Sequence, residues 1–254
     1  MLWNNNLSID KMIKLIQGNC LEELNEISNG SVDCFICDLP YGSTICKWDI
    51  KIDLDELWKQ MKRIAKNNHT PYFFFCDMKL AVDLINSNPK WFRYDLVIQK
   101  SNVVGYLNSK KMPMREHELL LVFYKNLPTY NIEENHTFKS IHRRNKNDNS
   151  IYGKFERKFH KSYEPPLPRS ILKMDNNSHK RFHKTEKATD ILEWIIKYYT
   201  KESDTVLDPT MGSGSTGVAC KNLKREFIGI ELDENYYNVA KKRLSDNNIN
   251  ASEG

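Results

Sequence analysis

Short continuous apolar runs alternate along most of this chain with stretches whose apolar residues recur every three or four positions. The continuous runs are Met12–Gln17, Val32–Cys37, Pro71–Cys76, Tyr94–Gln99, Leu119–Tyr124, Thr205–Asp208 and Phe227–Glu231. Four to six residues long and bounded by turn-forming residues, they predict buried strands. Between them, Leu21–Ile27 is amphipathic; Leu54, Leu57, Met61, Ile64 and Ala65 share one helical face; and Leu80, Leu84 and Ile85 suit a helix ending before Pro89. Further on, Ile191, Leu192, Ile195, Ile196 and Tyr199 line another face, and Ser215–Asn222 and Asn235–Leu244 complete the predicted helices. Strands alternating with helices imply an α/β fold built on a mainly parallel sheet covered on both faces.

The alternation stops between about Asn126 and His183. Lys, Arg, His, Asn and Ser dominate there, and Pro165, Pro166 and Pro168 interrupt it, so a long irregular insert is expected. Charge separates the same region. The chain of 254 residues carries a net charge of only +5, yet Lys139–Lys184 holds 13 Lys or Arg against 4 Asp or Glu, a local +9 on a body that sums to −4. A basic block on a slightly acidic body points to a polyanion partner; the competing reading is a solvated Lys-rich loop.

The six cysteines are scattered through apolar contexts. Cys34 and Cys37 form a CxxC, but within a strand positions i and i+3 face opposite ways and cannot grip one metal. No second Cys/His pair completes a zinc site, so buried thiols in a reducing cytoplasm are expected, with no metal. The first residues, MLWNNNLSIDK, lack signal-peptide shape, and no apolar run approaches the roughly 18 residues needed to cross a bilayer.

Candidate chemistry concentrates in two places. Asp208-Pro-Thr-Met-Gly-Ser-Gly-Ser-Thr-Gly217 places a GxGxxG (Gly212, Gly214, Gly217) between a predicted strand and a predicted helix, and Glu231 ends the next strand at the spacing of a ribose-binding acid. Glycine lets the backbone turn tightly and approach a ligand. In a dinucleotide site such a loop faces an anionic pyrophosphate; the Asp208 carboxylate beside this loop would repel it and would favour a cationic ligand such as S-adenosylmethionine. The second place is Asp38-Leu-Pro-Tyr-Gly42, directly after a buried strand, where parallel sheets carry their chemistry. Alone it could be a plain Pro-Tyr turn.

Together, in this order and separated by a basic insert, the two motifs resemble the β class of S-adenosylmethionine-dependent DNA amino-methyltransferases, which carry a D-P-P-Y tetrad before the cofactor motif. The likeness extends to Gly18-Asn-Cys-Leu21, Arg115–Lys125 and His183–Ala188. It implies a Rossmann-like seven-stranded methyltransferase sheet in permuted order, the strands at Thr205 and Phe227 entering at its centre and the last two strands before the insert pairing antiparallel at one edge. It divides the chain into a catalytic half (1–125), a target-recognition insert (126–182), a cofactor-binding half (183–245) and a flexible tail (246–254). By the same resemblance Asp38, Leu39, Pro40 and Tyr41 are catalytic, while Asn19, Cys20, Asp38, Lys184, Thr185, Asp208, Met211, Gly212, Ser213, Gly214, Ser215, Thr216 and Glu231 bind the cofactor. Arg143, Arg144, Arg157 and Lys158 are candidate DNA contacts. Leu39 stands where the family has its first proline, Asn19 where an Asp is frequent and Met211 where a Phe is usual; prolines are missing at 184 and 188.

The implied reaction is methyl transfer to adenine N6 in double-stranded DNA. An aromatic amine is a poor nucleophile because its lone pair is delocalised. Asp38 and the Leu39 carbonyl would each accept one amine hydrogen bond, localising that pair and stabilising the charge that develops on nitrogen. Tyr41 would stack on a base flipped out of the duplex. The same scaffold serves N4-cytosine methylation, although Ser then more often replaces Asp38, and RNA adenine methylation, where Trp usually ends the tetrad. A catalytically silent nucleic-acid-binding subunit is the alternative of another class. A homodimer and a cognate restriction endonuclease are compatible associations.

Overall fold

Alternation along each apolar run decides which side of the sheet a residue serves. In the computed structural model, which describes residues 12–40, 51–143, 159–173 and 189–245, the first half gives β1 (Ile13–Gln17), α1 (Cys20–Glu23), β2 (Cys34–Cys37), α2 (Leu54–Ile64), β3 (Tyr72–Cys76), α3 (Met78–Ser87), β4 (Phe92–Val104) and β5 (Arg115–Phe123). The insert region gives α4 (Ile132–Asn135), β6 (Thr137–Arg143), β7 (Phe159–Glu164) and β8 (Ile171–Lys173). The last part gives α5 (Thr189–Tyr199), β9 (Thr205–Asp208), α6 (Ser215–Asn222), β10 (Glu226–Glu231) and α7 (Glu234–Ser245).

Cys34, Ile36, Phe73 and Phe75 face the layer made by α5, α6 and α7, whereas Phe35, Cys37, Tyr72, Phe74 and Cys76 face the layer made by α1, α2 and α3. Cys34 and Cys37 thus lie in different halves of the core, as their spacing requires. Burial pushes both thiols well above their usual range. The helices start where polar caps allow: Asp53 accepts the Asp55 and Glu56 N–H groups at the head of α2, and Asp77 accepts that of Leu80 on α3. Among the described residues no helix is long and apolar enough to cross a membrane.

The main sheet runs β1-β10-β9-β2-β3-β5-β4-β8. Neighbours are parallel except at β5, which is antiparallel to both β3 and β4. The expected permuted α/β sheet is therefore present, with β9 and β10 entering between β1 and β2. The expected antiparallel pair forms as β4 and β5 but is not outermost: β8, from the insert, adds an eighth strand parallel to β4. Three residues, Ile171–Lys173, carry too little pattern to be read as a strand; the open edge of β4 supplies the order.

The insert is likewise less irregular than its composition implies. β6 and β7 pair as an antiparallel ribbon, with Phe138 against Tyr163 at 6.1 Å. The insert is also tied to the body: the Asn131 side-chain amide donates to the Lys197 and Thr200 carbonyls at 3.1 and 2.7 Å. His136 joins the Tyr198 hydroxyl at 2.6 Å and the Pro165 carbonyl at 2.7 Å. Partners distant in sequence satisfy these polar groups, which is why local pattern did not reveal the order.

Candidate active site

Four adjacent parallel strands, β1, β10, β9 and β2, end on one rim of the sheet and deliver Asn19, Glu231, Asp208 and Asp38 in turn. β9 connects onward to β10 on one side, while β2 connects to β3 on the other. The rim between β9 and β2 is therefore the switch point at which open α/β sheets bind ligands.

The turn after β9 is built on glycine. Gly212 and Gly214 have φ of +53° and +81°, backbone that other residues adopt only at a cost. Gly217 serves packing, since a Cβ there would meet Phe227 and Leu244 at 2.8 Å. The polar groups of this turn bond largely to one another. Met211 N–H donates to the Ile230 carbonyl (2.9 Å), Gly212 N–H to one oxygen of Glu231 (2.9 Å) and Gly214 N–H to the Met211 carbonyl (2.9 Å). The other Glu231 oxygen accepts Asp233 N–H at 2.8 Å. Asp208 accepts Thr210 N–H at 3.1 Å and the Thr216 hydroxyl at 2.6 Å.

Asp208 is fully buried, and that burial pushes its pKa up to about 7; the Thr216 and Thr210 hydrogen bonds pull it down, and the negative charges of Asp38 and Glu231 add to the rise. Glu231 is raised as well, again mainly by burial. Three carboxylates thus crowd a poorly hydrated rim. Among the described residues, no group of three His, Cys, Asp or Glu is arranged to hold a metal ion.

The catalytic candidates stand next to this turn. Asp38 is half-buried at the end of β2, Leu39 is buried in the core and Pro40 is half-buried. Leu39 and Pro40, with Ile52, Leu54 and Leu80, line a shallow apolar depression. Asn19 is exposed and caps α1 by accepting Leu21 N–H at 3.0 Å. Cys20 is buried, its thiol pushed up to about 11 first by that burial. Met211, Ser213, Ser215 and Thr216 are also buried. Tyr41, Arg144, Arg157, Lys158, Lys184 and Thr185 lie outside the described residues, and Arg143 is the last residue of β6.

Two residues that sequence reasoning passed over hold this arrangement together. The Thr210 hydroxyl donates to the Asp38 carbonyl at 3.0 Å, fastening the tetrad strand to the glycine turn. Arg243, on α7, reaches the Ser215 hydroxyl at 3.2 Å and the Ser213 carbonyl at 3.4 Å. Thr210 lay in plain view between Asp208 and Gly212; nothing local marked Arg243.

A sequence model of N6/N4-type DNA methylases matches residues 32–242. The chain belongs to the DNA methylase family. The methylase is 27% identical to the type II methyltransferase M1.MboII of Moraxella bovis over 269 residues, covering 93% of this chain and 98% of that one. It is also 27% identical to M.HinfI of Haemophilus influenzae, over 92% of this chain and 69% of the relative. A more local match, 54% identical over 63 residues, links the methylase to M2.LlaDCHI of Lactococcus lactis subsp. cremoris but spans only 23% of that protein. Among solved structures, M1.HpyAVI in complex with SAM superposes with a TM-score of 0.65 at 25% identity, covering 92% of this chain and all of that one. The cytosine-N4-specific PvuII methyltransferase shares the fold at a TM-score of 0.66 and 15% identity, over 94% of this chain and 88% of that one.

Proposed function

We propose that this methylase transfers a methyl group from S-adenosylmethionine to adenine N6 at a specific site in double-stranded DNA. The observation that carries the cofactor choice is the rim itself: a glycine turn whose Met211, Gly212 and Gly214 N–H groups are spent internally, ringed by Asp38, Asp208 and Glu231. A pyrophosphate needs outward-facing N–H groups and meets repulsion from carboxylates; a sulfonium and ammonium relieve the crowded negative charge. Glu231 keeps lone pairs for ribose hydroxyls beyond those its two backbone partners use. When bound, the cofactor supplies the electrophilic methyl.

The chain's own groups prepare the nucleophile. Asp38 and the Leu39 carbonyl accept hydrogen bonds from the target amine, and Tyr41 stacks on the extruded base. Asp38, rather than Ser, favours adenine over cytosine. Residues 126–182 form the recognition insert, with Asn19, Cys20, Lys184 and Thr185 completing the cofactor pocket. Incubation with labelled cofactor and either duplex DNA or RNA, followed by nucleoside analysis, tests this reading. Methyl label in N6-methyladenine from DNA is expected; label in N4-methylcytosine, in RNA alone or in neither would overturn it.

Cofactor affinity should depend on pH. A bound cation favours ionised Asp208, so binding releases a proton wherever the free carboxyl is still protonated. Affinity should rise about tenfold from pH 6 to pH 8. Asp208→Asn in the same buffers controls for ionisation of the cofactor's own amine and should remove most of the slope. Without ligand the sign reverses for stability. The folded-state pKa lies above the unfolded value, so the stability contribution is lost as pH rises from about 4 toward 7. Calorimetric titration across pH tests the first claim and thermal unfolding the second; equal slopes in wild type and variant would show that Asp208 does not sense the ligand.

Charge reversal at Arg143, Arg144, Arg157 and Lys158 should weaken DNA binding and flatten its salt dependence, each lost phosphate contact lowering the log–log slope by about 0.9, with cofactor affinity unchanged. A salt slope equal to wild type would leave the basic block a solvated loop.

A further inference from the structure

A second apolar and basic element rises from the active-site rim outside the insert. Cys76, the last residue of β3, pairs with Leu119 of β5, which pairs with Val97 of β4. Beyond that line β4 continues from Ile98 to Val104 and β5 occupies Arg115–Glu118. The two strands form an arm that rises roughly 13 Å past the end of β3, four residues of β5 at about 3.3 Å each, with β4 bulging between Gln99 and Val104 over the same rise. Because β4 is parallel to β3, β2 and β9, the arm projects from the same rim that carries Asp38 and Asp208. In the order β2-β3-β5-β4 its strands lie about 10 and 14 Å across the sheet from β2.

The tip breaks the usual rule for surface loops. Gly105, at φ +95°, turns the chain into a short helical turn that holds Tyr106 at 80% and Leu107 at 97% exposure. Val103, Val104, Met112 and Met114 are exposed beside them. Glu116 and Glu118 lie at the base of the arm, Glu118 paired with Lys100 at 3.3 Å, but from Asn102 to Arg115 there is no acidic residue, and Lys110, Lys111 and Arg115 make the tip positive. Isolated exposed apolar residues are ordinary; a contiguous group on a projecting, basic arm marks a binding surface.

We infer that this arm engages duplex DNA, with Lys110, Lys111 and Arg115 on phosphates and Tyr106 and Leu107 pressed into the base stack to open the pair whose base enters the site. The inference rests on the DNA-methylase reading above. Charge complementarity selects the occupant: a second copy docked arm to arm would set like charges against one another, and its body is only slightly acidic, whereas a polyanion neutralises the tip fully. The apolar tip selects the mode, since inserted aliphatic and aromatic wedges unstack base steps. The reach also fits, because the projection exceeds the roughly 8.5 Å depth of the major groove. Flipping requires energy to unpair and unstack the target, and the arm supplies contacts that exist only in the opened duplex.

The test uses the full chain and the recognition sequence mapped from plasmid DNA methylated by the wild type. The double variant Tyr106→Ser/Leu107→Ser alters side chains that are almost wholly solvent-exposed, and its melting temperature should match wild type. Single-turnover methyl transfer to the paired duplex should fall about tenfold or more. It should recover to near wild type when the target base faces an abasic site. Lys110→Ala/Lys111→Ala should lower the salt slope of binding by about two. Equal loss on both substrates, no loss on the paired duplex, or conversion of a dimer to a monomer with DNA affinity intact would overturn the assignment. Absence of wild-type DNA methylation would instead overturn the methylase reading itself and the role of the arm with it.

Discussion

Asp38→Asn should leave DNA binding and fold nearly intact while single-turnover methyl transfer falls by a factor on the order of 10²–10³. The amide keeps the size and one acceptor oxygen of the carboxylate, removes the charge and turns the other oxygen into an NH₂ donor. If Asp38 acts on the amine, its contribution grows as nitrogen acquires positive charge, so the loss belongs in the chemical step rather than in affinity. The backbone at this position is held independently of the side chain, because the Thr210 hydroxyl donates to the Asp38 carbonyl. Geometry should therefore survive the substitution. Asp38→Ala should lose at least as much. A further readout separates electrostatics from shape: Asp38 contributes to the upward push on Asp208, so either variant should move the pH dependence of cofactor binding toward lower pH. Rapid-quench transfer from labelled cofactor, with DNA anisotropy alongside, measures the split. Near-wild-type rates would remove the tetrad from the chemistry, and a rate loss that only tracks cofactor affinity would confine Asp38 to cofactor binding, with another group polarising the amine.

Glu231→Ala should weaken cofactor binding about ten- to a hundredfold, the equivalent of losing one charged acceptor worth roughly 1.5–3 kcal/mol. The structure gives this residue a second duty. Its two oxygens accept Gly212 N–H and Asp233 N–H, so it braces the glycine turn from the end of the neighbouring strand. Glu231→Gln discriminates between shape and charge. Its single oxygen can serve only one of those N–H groups, and the amide NH₂ then faces the other, donor against donor. The glutamine variant should consequently resemble alanine in both affinity and melting temperature. Calorimetry and thermal unfolding measured on the same preparations distinguish the two duties. A lower melting temperature with unchanged cofactor affinity would make Glu231 a brace alone.

The alternation of short apolar runs with helical faces determined the α/β class, most of the element positions and the two-sided core, because burial on both sheet faces leaves a strong local mark. It also separated Cys34 from Cys37 before any contact was known. The glycine turn was legible for the same reason: left-handed backbone at Gly212 and Gly214 restricts residue type at the position itself. The tetrad and its role came from resemblance; the residues alone allowed a simple turn.

Other features depended on partners far away in the chain. β8 exists as a strand because β4 offers it an edge, and the ribbon of β6 and β7 is tied down through Asn131 and His136 to residues at the end of α5 and just beyond it. Thr210 joins two strands that are separated by most of the sequence. Asp208 is lifted first by its burial in the assembled core, and the charges of Asp38 and Glu231 add to that only once the sheet brings them to the same rim. In sequence the two strands read as Tyr94–Gln99 and Leu119–Tyr124, and the segment that builds the β4–β5 arm between them carries no strand pattern. Only the pairing register lifts its tip clear of the sheet on the rim that carries Asp38 and Asp208. Local pattern records what a residue must bury; which rim a strand ends on, and what it meets there, follows from the order in which strands assemble.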